Sequence, residues 1–598
     1  MSGNNVSTTE LIYLWQARRR QDQAPTTTSD QLTSINYFLS AYEKPAVALQ
    51  HLEAYLGTAM FDAAMQQYYQ QWQFKHPQPQ DFRQSLESST NKDLSWLFDG
   101  LLYSNNHLDY AISGVQNQND TYEVIVKNKG RIAAPFQLDA LKDGRIVQSQ
   151  WYEGFEGLQT LSFPAGDYDL IVLDEQRILL DVNRNNNNIR TSGPFKTIEP
   201  LQVNLLPRPE DSKRTQLYWL PAMGWNNYDK YMLGAALYNT TAPYRNLRFT
   251  AIPMYSFGSN DIAGLADMQY YLYPNTPALQ RIIIGANGRV FHYDRNFTRN
   301  YDLQYVRVEP FLRFELGKLP ASNLYQTIQW RSIWLNAQQP IFSDMFGNFI
   351  RTDWNDTFIH ELSYGLENRR KLNPYSLLAA VEQQSYNDLR GKQQYVKASL
   401  EWNSSYTFQP NKSFDVRIFA GGFLSNTRRN AGGIFPGAFN LTSQGFNDYR
   451  FDDWYFGRSD REGIWAQQVS IRDGGMKNVI GTGFNLGRSN SFIAAINLKS
   501  SLPSGLPFHK VLKPYFDIGY FDNAMPTGVN DSFSDQLLWS GGLQLELVRD
   551  IFNIYFPLIN SQNIQDRYAE QNSYLQRMSF SLNLARLNPY RFLERLAL

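Results

Sequence analysis

The spacing of hydrophobic positions changes twice along the chain. In the first hundred residues they recur at helical intervals. Ala46, Val47, Leu49, Leu52, Tyr55 and Leu56 follow Pro45, which suits a first helical turn, and Gly57 stands where that helix should end. Thr58 is placed to cap a second helix carrying Phe61, Met65, Tyr68 and Trp72. Asp81 could cap a third, Phe82 to Leu86, and a fourth apolar segment runs from Leu94 to Leu102. From about Asp109 to Leu206 the period becomes two. Tyr122 to Val126 reads as a short strand, Leu138 to Gln150 as two strands hinged at Lys142-Asp143-Gly144, and Tyr168 to Leu173 as another. Several short strands over about a hundred residues predict a small β-sandwich.

From about Arg214 the strands lengthen. Between Gln304 and Leu316 one face carries Val306, Val308, Pro310, Leu312, Phe314 and Leu316, and the other Arg307, Glu309, Phe311, Arg313 and Glu315. The alternation recurs. Val396, Ala398, Leu400 and Trp402 alternate with Lys397, Ser399, Glu401 and Asn403. Phe414, Val416, Ile418 and Ala420 alternate with Asp415 and Arg417. Further examples are Phe492 to Leu498, Leu543 to Leu547 and, last, Met578 to Leu584. Segments of about ten alternating residues with aromatic ends are what a tilted membrane strand requires. The pattern predicts a large antiparallel transmembrane β-barrel of about 12–16 strands. The longest and most polar connection, Asn426 to Glu462, is expected to be an external loop. A soluble propeller or double sandwich would need a repeated blade motif, and none is found. The expected organisation is multidomain: a helical layer over residues 1–108, a β-sandwich over 109–206 and the barrel over 207–598.

Composition sharpens this picture. Aromatic residues make up 15% of the 598 positions, yet no run of about 20 apolar residues exists, which excludes a helical membrane protein. Net charge is +0, which gives no reason to expect nucleic acid. There is no cysteine, so disulfides and thiol catalysis are excluded. The first residues, MSGNNVSTTE, form no signal peptide, although a barrel protein must cross the inner membrane. The expectation is that the natural N-terminus lies further upstream.

Chemistry is sparse. None of the six histidines (His51, His76, His107, His292, His360, His509) pairs with another at the spacing of a helical zinc site. His360-Glu361 begins like HExxH, but Tyr364 stands where the second histidine should be. No nucleophile elbow, phosphate loop or dinucleotide fingerprint occurs. Asp181 to Asn188 sets side-chain oxygens at alternate positions, as calcium loops do, but lacks their glycine and terminal glutamate and reads better as a polar hairpin loop. The basic runs Arg18-Arg19-Arg20 and Arg369-Arg370-Lys371 read as solvated faces or interfacial charges.

One stretch resembles a known family. Asn36-Tyr37-Phe38-Leu39-Ser40-Ala41-Tyr42-Glu43-Lys44-Pro45-Ala46 and the helix ending in Tyr55-Leu56-Gly57 look like zinc metallopeptidases of the aminopeptidase N and leukotriene hydrolase type, the gluzincins. Phe61 to Met65, Trp72 to Pro77, Asp81-Phe82 and Asp93 to Phe98 continue in that family's order. The resemblance implies that the first hundred residues are the C-terminal helical part of a peptidase catalytic domain. The predicted sandwich and barrel together resemble a Bacteroidetes-type architecture in which such a peptidase is fused to a C-terminal outer-membrane barrel. It also implies one catalytic residue, Tyr42, whose hydroxyl would donate to the oxyanion of a tetrahedral intermediate. HExxH and the third zinc ligand of the family precede this tyrosine, and the 41 residues before Tyr42 contain neither. The implied full-length protein would use zinc, while this chain should bind none and be inactive alone.

The resulting expectation is the C-terminal part of an outer-membrane zinc aminopeptidase-like protein, with its N-terminal domains in the periplasm. Its expected partners are outer-membrane lipid, the barrel assembly machinery and a peptide substrate. The rival reading is a non-enzymatic barrel, a transporter, channel or assembly factor with a periplasmic binding module. Lumen charges such as Arg307, Glu309, Arg313, Glu315, Lys397 and Glu401 could line a pore or knit a closed lumen, and closure is the favoured reading.

Overall fold

The computed structural model describes residues 8–584 except 119, 206–207, 209, 240–244, 275, 318–321, 344–348, 389–390, 428, 430–436, 480–485, 523–535, 570 and 572. The chain divides into two compact units. One comprises Met1–Trp219 with Asn239–Arg245 and Leu319–Ala321. The other comprises Leu220–Tyr238, Asn246–Lys318 and Ser322–Leu598.

The first unit opens with helices Thr8–Ala17 and Ser34–Phe38. The latter runs through a π-helical turn, Leu39–Glu43, directly into Lys44–Leu56. Pro45 sits in the first turn of that last segment, and Gly57, at φ 79°, ends it. Helices Thr58–Trp72 and Pro79–Thr90 follow, then a second π-helical segment, Trp96–Leu102. Two expected caps are displaced. Gly57, not Thr58, precedes the second helix, and the Thr58 hydroxyl donates to Glu53 instead (3.1 Å). The third helix starts at Pro79, so Gln78 is its cap. Asp81 serves as the reciprocal partner three residues on, accepting from the Gln78 amide at 2.7 Å.

Two small sheets follow. Tyr110–Gln118, Thr121–Asn128 and Leu158–Pro164 form one, and Arg145–Tyr152, Phe136–Lys142, Leu170–Leu173 and Asn188–Arg190 the other. The hinge at Asp143-Gly144 is the expected tight turn, both residues having positive φ (50° and 75°). Helices and sheets share one apolar core, in which Leu52, Leu97, Phe98, Tyr110, Val124, Phe136, Phe163 and Leu173 are buried. The segment Asp181 to Asn188, expected as a polar hairpin loop, is tucked against the core. It forms a buried turn, with the Asp181 carboxylate accepting from the amides of Tyr110 (3.0 Å) and Asn183 (2.8 Å). Arg184 is clamped to Asp174 (2.9 Å) and Glu10 (3.0 Å).

A sheet of 17 strands is ordered as a barrel, and most of its strands belong to the second unit. From Lys230–Tyr238 onward each long strand pairs antiparallel with the next, as in Leu324–Phe342 with Phe349–Asn368 and Tyr375–Asp388 with Gly391–Gln409. The count exceeds the expected 12–16 strands because Leu201–Asn204 joins the sheet, parallel to Thr215–Tyr218. Four residues are too few for alternation to reveal a strand. The last strand is shorter than its pattern suggested, Ser579–Leu582 instead of Met578 to Leu584.

Strand faces sort as the alternation requires. On Phe349–Asn368, Phe358 and Leu362 are about half exposed on the outer side, whereas Ile359 and Glu361 face inward. The outer side is apolar elsewhere too, with Trp330, Val381, Leu400, Trp402, Ile418 and Ile496 exposed. Arg307, Glu382, Lys397 and Arg417 are buried inside.

Candidate functional site

Tyr42 lies in the π-helical turn Leu39–Glu43. The extra residue of such a turn rotates the side chains that follow it. Leu39 and Ser40 face inward, while Tyr42 is 58% exposed and forms an aromatic patch with Tyr37 (ring centroids 6.3 Å) and Phe38 (6.4 Å). The turn is held from behind. The Ser40 hydroxyl donates to the Gln23 carbonyl (2.7 Å), and the Asn36 amide donates to the Gln21 carbonyl (2.7 Å), Gln23 Oε1 and Thr33 Oγ1.

Beneath it lies a buried polar cluster. Asp22 bonds His107 Nε2 at 2.9 Å and faces Lys44 Nζ at 3.8 Å, and Lys44 also donates to the Ser104 carbonyl (3.4 Å). Burial alone would push the Asp22 carboxyl up. Its bond to His107 and the nearby charges of His107 and Lys44 outweigh burial and hold it below its ordinary value. Burial lowers the Lys44 ammonium, against the pull of Asp22. The cluster ties the segment before Ser34 to the end of the helical layer. These residues show no signal by spacing, because they meet only in three dimensions.

The remaining histidines are not arranged around Tyr42 as a metal set. His51 is fully buried, packed on Trp96 (ring centroids 4.6 Å), with Nε2 2.8 Å from the Pro135 carbonyl. Burial pushes its pKa down to about 4, so it is neutral at pH 7. His360 and Glu361 are neighbours on one strand, so their side chains point to opposite faces of the sheet and cannot share an ion. Among the described residues no group of three or more His, Cys, Asp or Glu could hold a metal ion. The side chains around Tyr42 therefore do not fit zinc.

A second cluster lies inside the barrel, where the alternation predicted charge but not its partners. The connection read as an external loop, Asn426 to Glu462, folds back into the lumen over its described residues. Asp452 is the hub. It accepts from Arg307 (2.5 Å), Arg331 (3.0 Å), Arg450 (3.3 Å) and Arg472 (2.8 Å). Arg331 and Arg450 also reach Glu361, at 2.8 and 2.9 Å. Glu382 joins Arg450 (3.0 Å) and Lys397 (3.5 Å) and accepts from the Tyr395 hydroxyl (2.6 Å). Around these groups remains a cavity of about 420 Å³. Its lining balances six cationic side chains (Arg289, Arg307, Arg331, Lys397, Arg450, Arg472) against six anionic ones (Glu309, Glu361, Glu382, Glu401, Asp452, Asp473).

Apolar contacts also seat the inserted segment. Phe451 packs on Tyr305 (4.5 Å between centroids) and Trp454 on Phe291 (4.6 Å). Leu441 and Met476 are buried with Phe419, Ile493, Phe521 and Leu538. Gly519 makes room for this: a Cβ there would lie 2.6 Å from a Leu441 methyl. The helix Gln562–Ala569 adds Ile564 and Tyr568 to the same core. The signal that could have revealed the insertion is its aromatic content, since Phe451, Trp454, Tyr455 and Phe456 are too many for a solvated loop.

A family model described as the Peptidase family M1 domain matches residues 15–101, the helical layer that contains Tyr42. No curated protein matches the chain. Among solved structures, CdiB from Acinetobacter baumannii is 11% identical with a TM-score of 0.27, covering 59% of this chain and 60% of its own. BamA from Haemophilus ducreyi lacking POTRA domains 1-3 is 10% identical with a TM-score of 0.30, covering 59% and 70%. CdiB from Escherichia coli is 12% identical with a TM-score of 0.31, covering 61% and 65%. The match spans less than two thirds of either CdiB chain.

Proposed function

We propose that this chain is the C-terminal part of an outer-membrane-anchored, zinc aminopeptidase-like protein. The observation that carries the reading is one polypeptide joining a segment that matches the M1 peptidase model to a barrel with an apolar outside and a charged inside. A sheet with that polarity suits a bilayer and is unfavourable in water. In the full-length protein the zinc that such peptidases use would be held outside this chain, and the Tyr42 hydroxyl would donate to the oxyanion of the peptide under attack. The exposed aromatic turn suits that role, because a donor to substrate must be reachable. On this reading the helical layer and sandwich occupy the periplasm, and the barrel is inserted by the outer-membrane assembly machinery.

The balanced ion-pair network inside the barrel favours an anchor over a pore. The purified chain, given zinc and aminoacyl amide substrates, is expected to hydrolyse nothing. Hydrolysis abolished by a chelator would overturn the reading. Sequencing the DNA upstream of Met1 is the complementary test: an in-frame HExxH with a downstream glutamate is expected. In planar bilayers the chain is expected to give no large steady conductance.

A further inference from the structure

We infer that the hairpin Asn368–Pro374 binds the phosphate of an anionic phospholipid at one rim of the barrel, through Arg370 and Lys371. The inference rests on the membrane reading above. The hairpin joins the strands Phe349–Asn368 and Tyr375–Asp388, whose register closes on the pair Asn368–Tyr375. Glu382 lines the lumen, so Tyr375, an odd number of residues away on the same strand, faces outward. Val381, outward by the same count, is exposed. Tyr375 therefore stands at the end of the apolar outer face, where a bilayer gives way to headgroups.

Three cationic side chains meet at this point and are used differently. Arg369 is already paired. Its Nε donates to Glu367 at 2.7 Å, and its guanidinium lies 4.0 Å from the Tyr325 ring centre. Arg370 lies 5.5 Å from the ring centre of outward-facing Tyr375, and its Nε donates to the Asn373 carbonyl at 2.7 Å. That bond aims the guanidinium without neutralising it. Lys371 is exposed and has no ion-pair or hydrogen-bond partner among the described residues. Beside them Leu372 is 65% exposed, an apolar group with nothing to cover it in water.

The hairpin also holds its shape. Asn373 is in the left-handed region (φ 52°), and its side-chain oxygen accepts from the Thr407 amide of the neighbouring strand at 2.9 Å. An aimed but unneutralised arginine with an exposed lysine beside it, an aromatic ring at the apolar boundary and an exposed leucine match the three layers of a lipid: phosphate, glycerol region and acyl chain. Chain order places exposed Lys510, on the connection 501–511, at the same end of the barrel.

The test compares the full chain with its R370Q/K371Q variant in nanodiscs of phosphatidylcholine containing a minority of phosphatidylglycerol. Lipids retained after gentle extraction are counted by native mass spectrometry. The wild type should retain phosphatidylglycerol over phosphatidylcholine, and the variant should lose roughly tenfold in that preference at low salt. Equal preference in the two proteins would overturn the proposal. So would equal displacement by inorganic phosphate, which would indicate a free-phosphate site. Insertion into pure phosphatidylcholine vesicles separates the two claims. If neither protein inserts, the membrane reading itself fails. If both insert but show no headgroup preference, only the lipid-binding inference fails.

Discussion

The two units of this chain solve opposite packing problems. In the helical and sandwich unit the interior is apolar with scattered buried charges, some of them ion-paired, as Arg184 is with Asp174 and Glu10, and others, such as Asp139 and Asp181, held by neutral donors. In the barrel unit polarity is inverted. Trp330, Leu362 and Leu400 are exposed on the outside, while Arg307, Glu382 and Lys397 are buried inside. Water drives the first arrangement by expelling apolar surface. On the membrane reading the second gains little from that effect, and its interior depends on charge-assisted hydrogen bonds, worth roughly twice ordinary ones. The two interiors should therefore respond differently to the same kind of substitution.

The largest effect is expected at the hub of the barrel. Asp452→Ala strands four arginines without their carboxylate, which typically costs about 3–5 kcal/mol for a broken buried pair. Heat-induced mobility shift on gels should show the barrel unfolding at lower temperature, and an unchanged transition would mean that the network does not support the fold. In the other unit the matching truncation is apolar. Leu97→Ala should cost about 2–5 kcal/mol through lost burial and a residual cavity, read by urea unfolding of that unit. Next comes the outer face. Leu362→Arg, on the outward face shared with Phe358, His360, Tyr364 and Leu366, should cost about 2–4 kcal/mol in a bilayer. The same variant in a soluble assembly would cost almost nothing, so a null result would argue against a membrane location.

A smaller effect separates two ionisable groups of the first unit. His51 is pushed down to about 4 by burial, so the folded unit refuses a proton that the unfolded chain accepts near pH 6.5. Stability therefore falls as pH drops from about 6.5 to about 4, by up to about 3 kcal/mol. Asp181 acts in the opposite sense. Burial, then the neighbouring Asp109, push it up to about 7, so its contribution is lost as pH rises from about 4 through 7. His51→Gln should abolish the first slope and leave the second, as measured by Tm against pH. The smallest expected effect is Tyr42→Phe. Its hydroxyl is exposed, so stability should change by less than about 0.5 kcal/mol. A large loss would mean that the tyrosine serves packing instead of chemistry.

Much of the architecture was legible because period is a local property. Six apolar positions from Ala46 to Leu56 sufficed for a helix, and the two faces of Gln304 to Leu316 separated as their alternation requires. Tyr42 was legible only through the string around it, since nothing in its spacing marks it among 37 tyrosines. The lumen charges were legible one partner at a time. Arg307 and Glu309 could be placed inside, but the groups that neutralise them could not, because Asp452 lies 145 residues from Arg307.

What the sequence by itself determined is the kind of element along the chain: helices at the start, short strands after them, and then long alternating strands that form most of the 17-strand sheet. Those follow from side-chain periodicity, which each segment carries without reference to the others. Only the tertiary structure decided that the polar connection after Asn426 turns inward. A loop of arginines and aspartates is equally at home in water and in a charged lumen, and the choice depends on whether complementary charges wait inside. Arg307, Arg331, Glu361 and Glu382 supply them, and they come from four different strands. The same holds for Asp22, Lys44 and His107, which become a cluster only when helix and loop close on one another.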